Sequence, residues 1–263
     1  MSAKRAERVE RMTVPGFRQK KQLGKKLTVV TAYDYPGARL VDAAGMDAIL
    51  VGDSLANVVQ GRNTTLPVTL EQMIYHAQMV MRAAKHAMVI VDLPFPTSQS
   101  GPTLALEAAA RILKETEADA VKIEGGQSRA ETIRTVVEAG IPVMGHCGFL
   151  PQNIRKMGGY KIQRDRQQLI DDVLAVEAAG VFAVVLELVP PELAAEVSQM
   201  IAIPTIGIGA GGDCDGQVLV FHDLLGFSDT PPPKHVRQYA SLFETALAAL
   251  EKYKNDVENN TLS

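Results

Sequence analysis

Two opposite charges, Lys122 and Glu124, interrupt an otherwise apolar run, Ala120-Val121-Lys122-Ile123-Glu124, that ends in Gly125-Gly126. In an extended strand side chains alternate between faces, so Lys122 and Glu124 share one face and Val121 and Ile123 the other. A buried ammonium or carboxylate costs several kcal/mol unless it is paired or metal-bound. The pair is therefore either a structural ion pair or part of a site, and the rest of the chain favours a site. Asp53 follows Ala48-Ile49-Leu50-Val51, Asp92 follows Met88 to Val91, and Glu187 ends Ala183 to Leu186. Each acid closes a β-rich run. Like charges gathered together raise one another's pKa, a cost that a hard cation reverses. Mg²⁺ suits such a set, because it takes oxygen ligands and leaves positions for water or substrate. His146 closes a fifth run, Val143-Met144-Gly145, and a histidine there serves as ligand, hydrogen-bonding partner or polar rim.

These side chains meet only if the strands that carry them lie parallel with their ends together. Strands are expected at Leu27–Thr31, Ala48–Val51, Met88–Val91, Ala120–Glu124, Val143–His146, Ala183–Glu187 and Pro204–Ile208. Between them fall helices at about 36–44, from Thr69 as N-cap, at 103–117, 129–139, 167–179 and 191–200. Gln217–Phe221 reads as an eighth strand or equally as the start of a helix. A last helix is expected over Val236 to about Tyr253, where Tyr239, Leu242, Phe243, Ala246, Leu247 and Leu250 form one stripe. Alternating strands and helices imply a parallel sheet, and eight such units in this length imply a (β/α)8 barrel, whose site lies at the carboxyl ends of its strands. Gly207 to Gly212 fits G-x-G-x-x-G by spacing, but too little chain follows for a dinucleotide-binding unit. A glycine-rich turn over the barrel mouth is the better reading.

Composition sets the outer limits. The 263 residues are 46% hydrophobic and 22% charged, with a formal net charge of -3, which suits one barrel spanning 1–263, with a polar N-terminal arm at about 1–24 and the C-terminal helix at about 236–253. Dispersed, slightly acidic charge gives no reason to expect nucleic acid or an anionic membrane as partner. The N-terminal stretch mixes Lys4, Arg5 and Arg8 with Glu7 and Glu10, unlike a signal peptide, and no run of eighteen apolar residues exists. A cytoplasmic location is expected, with Cys147 and Cys214 as reduced thiols.

Val51-Gly52-Asp53-Ser54, Ala32-Tyr33-Asp34, Asp92-Leu93-Pro94-Phe95, Val121 to Gly126, Gly145-His146, Gly158-Gly159-Tyr160-Lys161, Leu186-Glu187, Gly207 to Gly211 and Asp215-Gly216-Gln217 together resemble the ketopantoate hydroxymethyltransferase family. The resemblance covers nearly the whole chain. It implies a barrel of the phosphoenolpyruvate/pyruvate superfamily type that transfers a hydroxymethyl group from 5,10-methylenetetrahydrofolate to 3-methyl-2-oxobutanoate, giving 2-dehydropantoate for pantothenate synthesis. It also implies a homo-oligomer, a homodecamer. By the same resemblance Asp53, Asp92 and Glu124 are the Mg²⁺-site acids, Asp53, Ser54, Asp92 and Lys122 contact the oxoacid, and Glu187 accepts the proton. Two stretches depart from the family pattern: Cys147, Phe149 and Leu150 after His146, and Gln163-Arg164-Asp165-Arg166. Two other readings stay open. A lyase or phosphonate mutase would use the same metal site without folate, and a non-catalytic binding barrel would bind no Mg²⁺.

Overall fold

The computed structural model describes residues 11–159 and 162–261. The arm's first ten residues, and Tyr160 and Lys161 of the glycine-rich loop, lie outside the described residues. In chain order the elements are α1 (Val14–Gln22), β1 (Leu27–Thr31), α2 (Tyr35–Ala43), β2 (Ala48–Val51), α3 (Leu55–Val58), α4 (Leu70–Ala83), β3 (Met88–Asp92), α5 (Pro102–Thr116), β4 (Ala120–Glu124), α6 (Ala130–Glu138), β5 (Val143–Gly148), α7 (Ile154–Met157), α8 (Arg166–Ala178), β6 (Ala183–Glu187), α9 (Pro191–Met200), β7 (Thr205–Ile208), β8 (Gly216–Leu219), α10 (Phe221–Leu225) and α11 (Leu242–Glu258). The eight strands form a closed barrel in sequence order, and successive strands from β1 to β8 pair in parallel. The chain divides into two compact units, one through Val218 and one from Leu219.

Alternate residues of the strands fill the barrel. Leu27 and Val29, Ala48 and Leu50, Met88 and Ile90, Ala120, Met144, Ala183 and Val185, Ile206 and Val218 make one buried cluster with Phe17 and Phe182. The rings of Phe17 and Phe182 meet edge to face at 5.7 Å. Two residues beyond the apolar layers, the same inward face carries polar groups: Asp92 after Ile90, Lys122 and Glu124 after Ala120, His146 after Met144 and Glu187 after Val185. The two-residue period of a strand thus carries the core straight into the cluster. The intervening side chains, including Val91, Val121, Ile123 and Val184, are buried on the opposite face, as expected of strands covered by helices. Thr69 caps α4 in a reciprocal box with Gln72, as the sequence predicts for a helix starting there.

The C-terminal expectations need correction. Gly216–Leu219 is a strand and Phe221–Leu225 a helix, so the two readings of this stretch hold for successive halves of it. The last helix begins at Leu242 rather than Val236 and runs to Glu258. Three prolines, Pro231 to Pro233, precede it. The backbone N–H of Tyr239 donates to the Leu224 carbonyl instead of a helical partner, which keeps this segment out of the helix, and the Phe243 N–H in the helix's first turn donates to the Gly226 carbonyl. Among the described residues no helix is long and apolar enough to cross a membrane.

Candidate active site

The two ends of the barrel treat acids differently. At the amino ends, Asp47, Asp119 and Asp215 each accept a backbone N–H from a neighbouring strand, those of Thr28, Val89 and Thr205, and each pairs with a basic side chain: Lys20, Arg11 and Lys21. These acids are satisfied structural groups. At the carboxyl ends Asp53, Asp92 and Glu124 are all buried, and among the described residues one ammonium, Lys122, serves them. Its Nζ lies 3.1 Å from Asp92 Oδ1, close enough for an ion pair but off the direction of a hydrogen bond. Asp92 Oδ1 and Glu124 Oε1 are buried without a hydrogen-bond partner.

The titration behaviour follows from this shortage of cations. Burial raises Asp92 to about 7; Lys122 opposes the rise and Asp53 adds to it. Burial, followed by the charge of Asp53, pushes Glu124 well above the usual carboxylate range. Burial alone would lower Lys122, but Asp92, Glu124 and Asp53 outweigh it and hold the ammonium above its ordinary value. Burial, and then Lys122, drive His146 well below the usual imidazole value, so the ring is neutral.

That neutrality fixes the ring's proton. Lys122 Nζ stands 3.1 Å from His146 Nδ1, and a lysine ammonium has no lone pair to accept with, so Nδ1 accepts and the proton sits on Nε2. Nε2 faces Glu187 Oε2 at 3.3 Å. Lys122, His146 and Glu187 therefore stand in one polar line, in which Lys122 donates to His146 and Nε2 lies near the Glu187 carboxylate without a hydrogen bond. Glu187 differs from the other three acids in being partly exposed, and it stands apart from them on the far side of His146. The sequence therefore brings all five strand-end charges to one mouth, in two groups.

Ser54 sits beside this cluster, its hydroxyl 2.8 Å from the Tyr33 hydroxyl, and the Asp53 backbone N–H donates to Asp92 Oδ2 at 3.1 Å. A Cβ on Gly52 would stand 2.8 Å from Ser54 Oγ and 3.5 Å from Asp92 Oδ2, so glycine at 52 leaves the room these groups need. Gly126 after β4 has a different role. A side chain there would overlap the Asp172 carboxyl of α8, so glycine at 126 is what lets that carboxylate come close to the backbone. Gln152, in a single 3-10 turn after β5, was not expected from the sequence. Its side chain reaches Asp53 Oδ2 at 2.9 Å. Both cysteines are free and buried; burial raises Cys147 and makes it inert as a nucleophile.

No metal cage is preformed. Among the described residues no group of three or more His, Cys, Asp or Glu side chains is arranged to hold a metal ion alone. The donor set nevertheless suits one hard cation. It offers buried oxygen atoms that lack hydrogen-bond partners, Asp92 Oδ1 and Glu124 Oε1, and carboxylates whose mutual repulsion a cation would relieve. Mg²⁺ usually needs only one or two carboxylates, the rest of its shell being water and substrate.

A closed parallel barrel with a buried acid, lysine and histidine cluster at the carboxyl ends of its strands defines a barrel enzyme. Its backbone resembles 2,3-dimethylmalate lyase, described as a PEP mutase/isocitrate lyase superfamily member, with a TM-score of 0.60 at 18% identity over 95% of this chain and 88% of that one. A family model described as ketopantoate hydroxymethyltransferase matches residues 11–262. The 3-methyl-2-oxobutanoate hydroxymethyltransferase of Trichlorobacter lovleyi is 51% identical over 255 residues, 96% of each chain. That of Desulforapulum autotrophicum is 50% identical over 251 residues, 95% of each. The chain belongs to the ketopantoate hydroxymethyltransferase family, a family of transferase enzymes.

Proposed function

We propose that this protein transfers a hydroxymethyl group from 5,10-methylenetetrahydrofolate to 3-methyl-2-oxobutanoate, giving 2-dehydropantoate, by enolisation with Glu187 as base. The observation that carries the chemistry is the line Lys122, His146, Glu187 beside Asp53, Asp92 and Glu124. The relatives' names supply the substrate. Glu187 takes the C3 proton of the oxoacid, and the electron pair of that C–H bond passes into the enolate. His146 Nε2 stands 3.3 Å from the Glu187 carboxylate, near enough for its N–H to steady that group as it takes the proton. Lys122 balances the negative charge that the substrate brings and that grows on its keto oxygen, while Ser54 and Asp53 line the oxoacid position. Asp92, with Asp53 and Glu124 around it, would hold Mg²⁺, which when bound supplies Lewis acidity at the keto oxygen. The enolate carbon bonds to the methylene carbon, the carbon–nitrogen bonds to the folate break, and one water supplies the hydroxyl, so that tetrahydrofolate leaves.

The test is formation of 2-dehydropantoate from 3-methyl-2-oxobutanoate with separate omission of Mg²⁺ and of 5,10-methylenetetrahydrofolate. Both omissions should abolish product. Turnover of a 2-methyl acid without folate would instead support a lyase. The family resemblance also supports a cytoplasmic homodecamer, which sedimentation of the purified protein checks.

A further inference from the structure

We infer that Gln152 is a positioning residue for the acid cluster, seated by Gln99, which fixes the Asp53 carboxylate for cation binding. This rests on reading the cluster as a Mg²⁺ site. Gln152 lies in the 3-10 turn Pro151–Asn153 after β5 and is 5% exposed. Its Nε2 donates to Asp53 Oδ2 at 2.9 Å and to the Leu93 carbonyl at 3.0 Å. Its backbone N–H donates to Glu124 Oε2 at 3.1 Å. Gln99 Nε2 donates to its Oε1 at 2.8 Å.

The amide has only one workable orientation. Asp53 Oδ2, as a carboxylate oxygen, and the Leu93 carbonyl are both acceptors, so the two-hydrogen end must face them and the oxygen must face Gln99. Both side-chain donors are then used. One residue thereby ties the ends of β2 and β4 and the loop after β3 to the turn after β5. Chemistry excludes the near relatives of glutamine here. A glutamate would set a third carboxylate against Asp53, and a methionine would fill the space without a donor. Gln99 touches none of the acids through the bonds described, so its influence runs through Gln152.

Calorimetric Mg²⁺ titration of the full-length wild type, Gln152→Met, Gln99→Met and the double variant tests this, with melting temperature recorded for each. Loss of a group that orients a metal ligand typically weakens metal affinity about 10–100-fold, and that loss is expected for Gln152→Met. Gln99→Met, at a half-buried and more tolerant position, should weaken Mg²⁺ less and in the same direction. The double variant should match Gln152→Met within about two-fold, because a residue acting only through another adds nothing once that one is gone. A Mg²⁺ affinity within two-fold of wild type in folded Gln152→Met, or losses that simply add in the double variant, overturns the inference. If Gln152→Met does not fold, unchanged affinity in Gln99→Met overturns it. If wild type itself binds no Mg²⁺, the metal reading falls and takes this inference with it, whereas wild-type binding with unchanged variants removes Gln152 alone.

Discussion

Replacing Lys122 with methionine keeps most of the side-chain volume and removes a cation that serves three buried acids. At 3.1 Å from Asp92 Oδ1, the pair is worth about 5 kcal/mol at an effective dielectric of about 20. Removing the ammonium also removes its own burial cost, so the net loss should match other broken buried pairs, about 3–5 kcal/mol. In a chain of this length that lowers the melting temperature by roughly 6–20 °C. The sign of the pH dependence follows from Asp92, which burial raises to about 7 even with Lys122 beside it. An acid whose folded pKa exceeds its unfolded value holds a proton that the unfolded chain gives up, so stability falls as pH rises from about 4 through the folded value. At pH 6 Asp92 is mostly neutral and misses the lysine little. At pH 8 it is ionised in wild type, and the variant must either bury that charge unpaired or keep the proton against the solvent. The deficit should therefore be larger at pH 8 than at pH 6. Urea unfolding of metal-free wild type and Lys122→Met at both values measures it. A loss below about 1 kcal/mol at pH 8, or equal losses at the two values, would refute the claim that Lys122 is the charge that makes this cluster tolerable.

Glu187→Gln should leave binding of the oxoacid nearly intact and slow enolisation by the factor a general base supplies, on the order of 10²–10⁴. NMR of 3-methyl-2-oxobutanoate in D₂O with Mg²⁺ and no folate reads it, since wild type should exchange the C3 hydrogen; normal exchange with failed transfer would move Glu187 to the folate step. Asp92→Asn should weaken Mg²⁺ and oxoacid binding together, and unchanged Mg²⁺ affinity in calorimetry would take Asp92 out of the metal site. Because Asp92 rises to about 7 in the metal-free site, Mg²⁺ binding should release protons near neutrality and tighten between pH 6 and pH 8. Titrations in buffers of different ionisation enthalpy count those protons, and a pH-independent affinity would count against Asp92 as ligand.

The barrel was legible because its signal repeats. Acids and a histidine close successive β-rich runs, and the two-residue period places them on the face that also bears Met88, Ile90, Ala120, Met144 and Val185. Strand spacing alone therefore led to Asp92, Lys122, Glu124, His146 and Glu187. Gln152 was illegible for the complementary reason. It occupies a turn with no period, and its partner Asp53 is 99 positions away in the chain, so nothing local marks it. The role of His146 was open in the sequence because one residue type serves three purposes; the ammonium against Nδ1 supplies what was missing. The late start of α11 escaped the stripe reading because Tyr239 fits the helical spacing, yet its N–H goes to the Leu224 carbonyl.

Strand register links the reacting groups more tightly than their contacts alone suggest. Asp92 is the register partner of Lys122, Glu124 of His146, and Gly148 of Glu187. Inserting or deleting a single residue within β3, β4, β5 or β6 would turn every later side chain of that strand to the opposite face, sending its charge toward the surrounding helices. The loops at the same rim obey no such parity and can change length wherever they do not carry Asp53, Ser54, Gln99 or Gln152. A scan of one-residue insertions should therefore divide the chain sharply, with activity lost within strands and surviving at their outer loops.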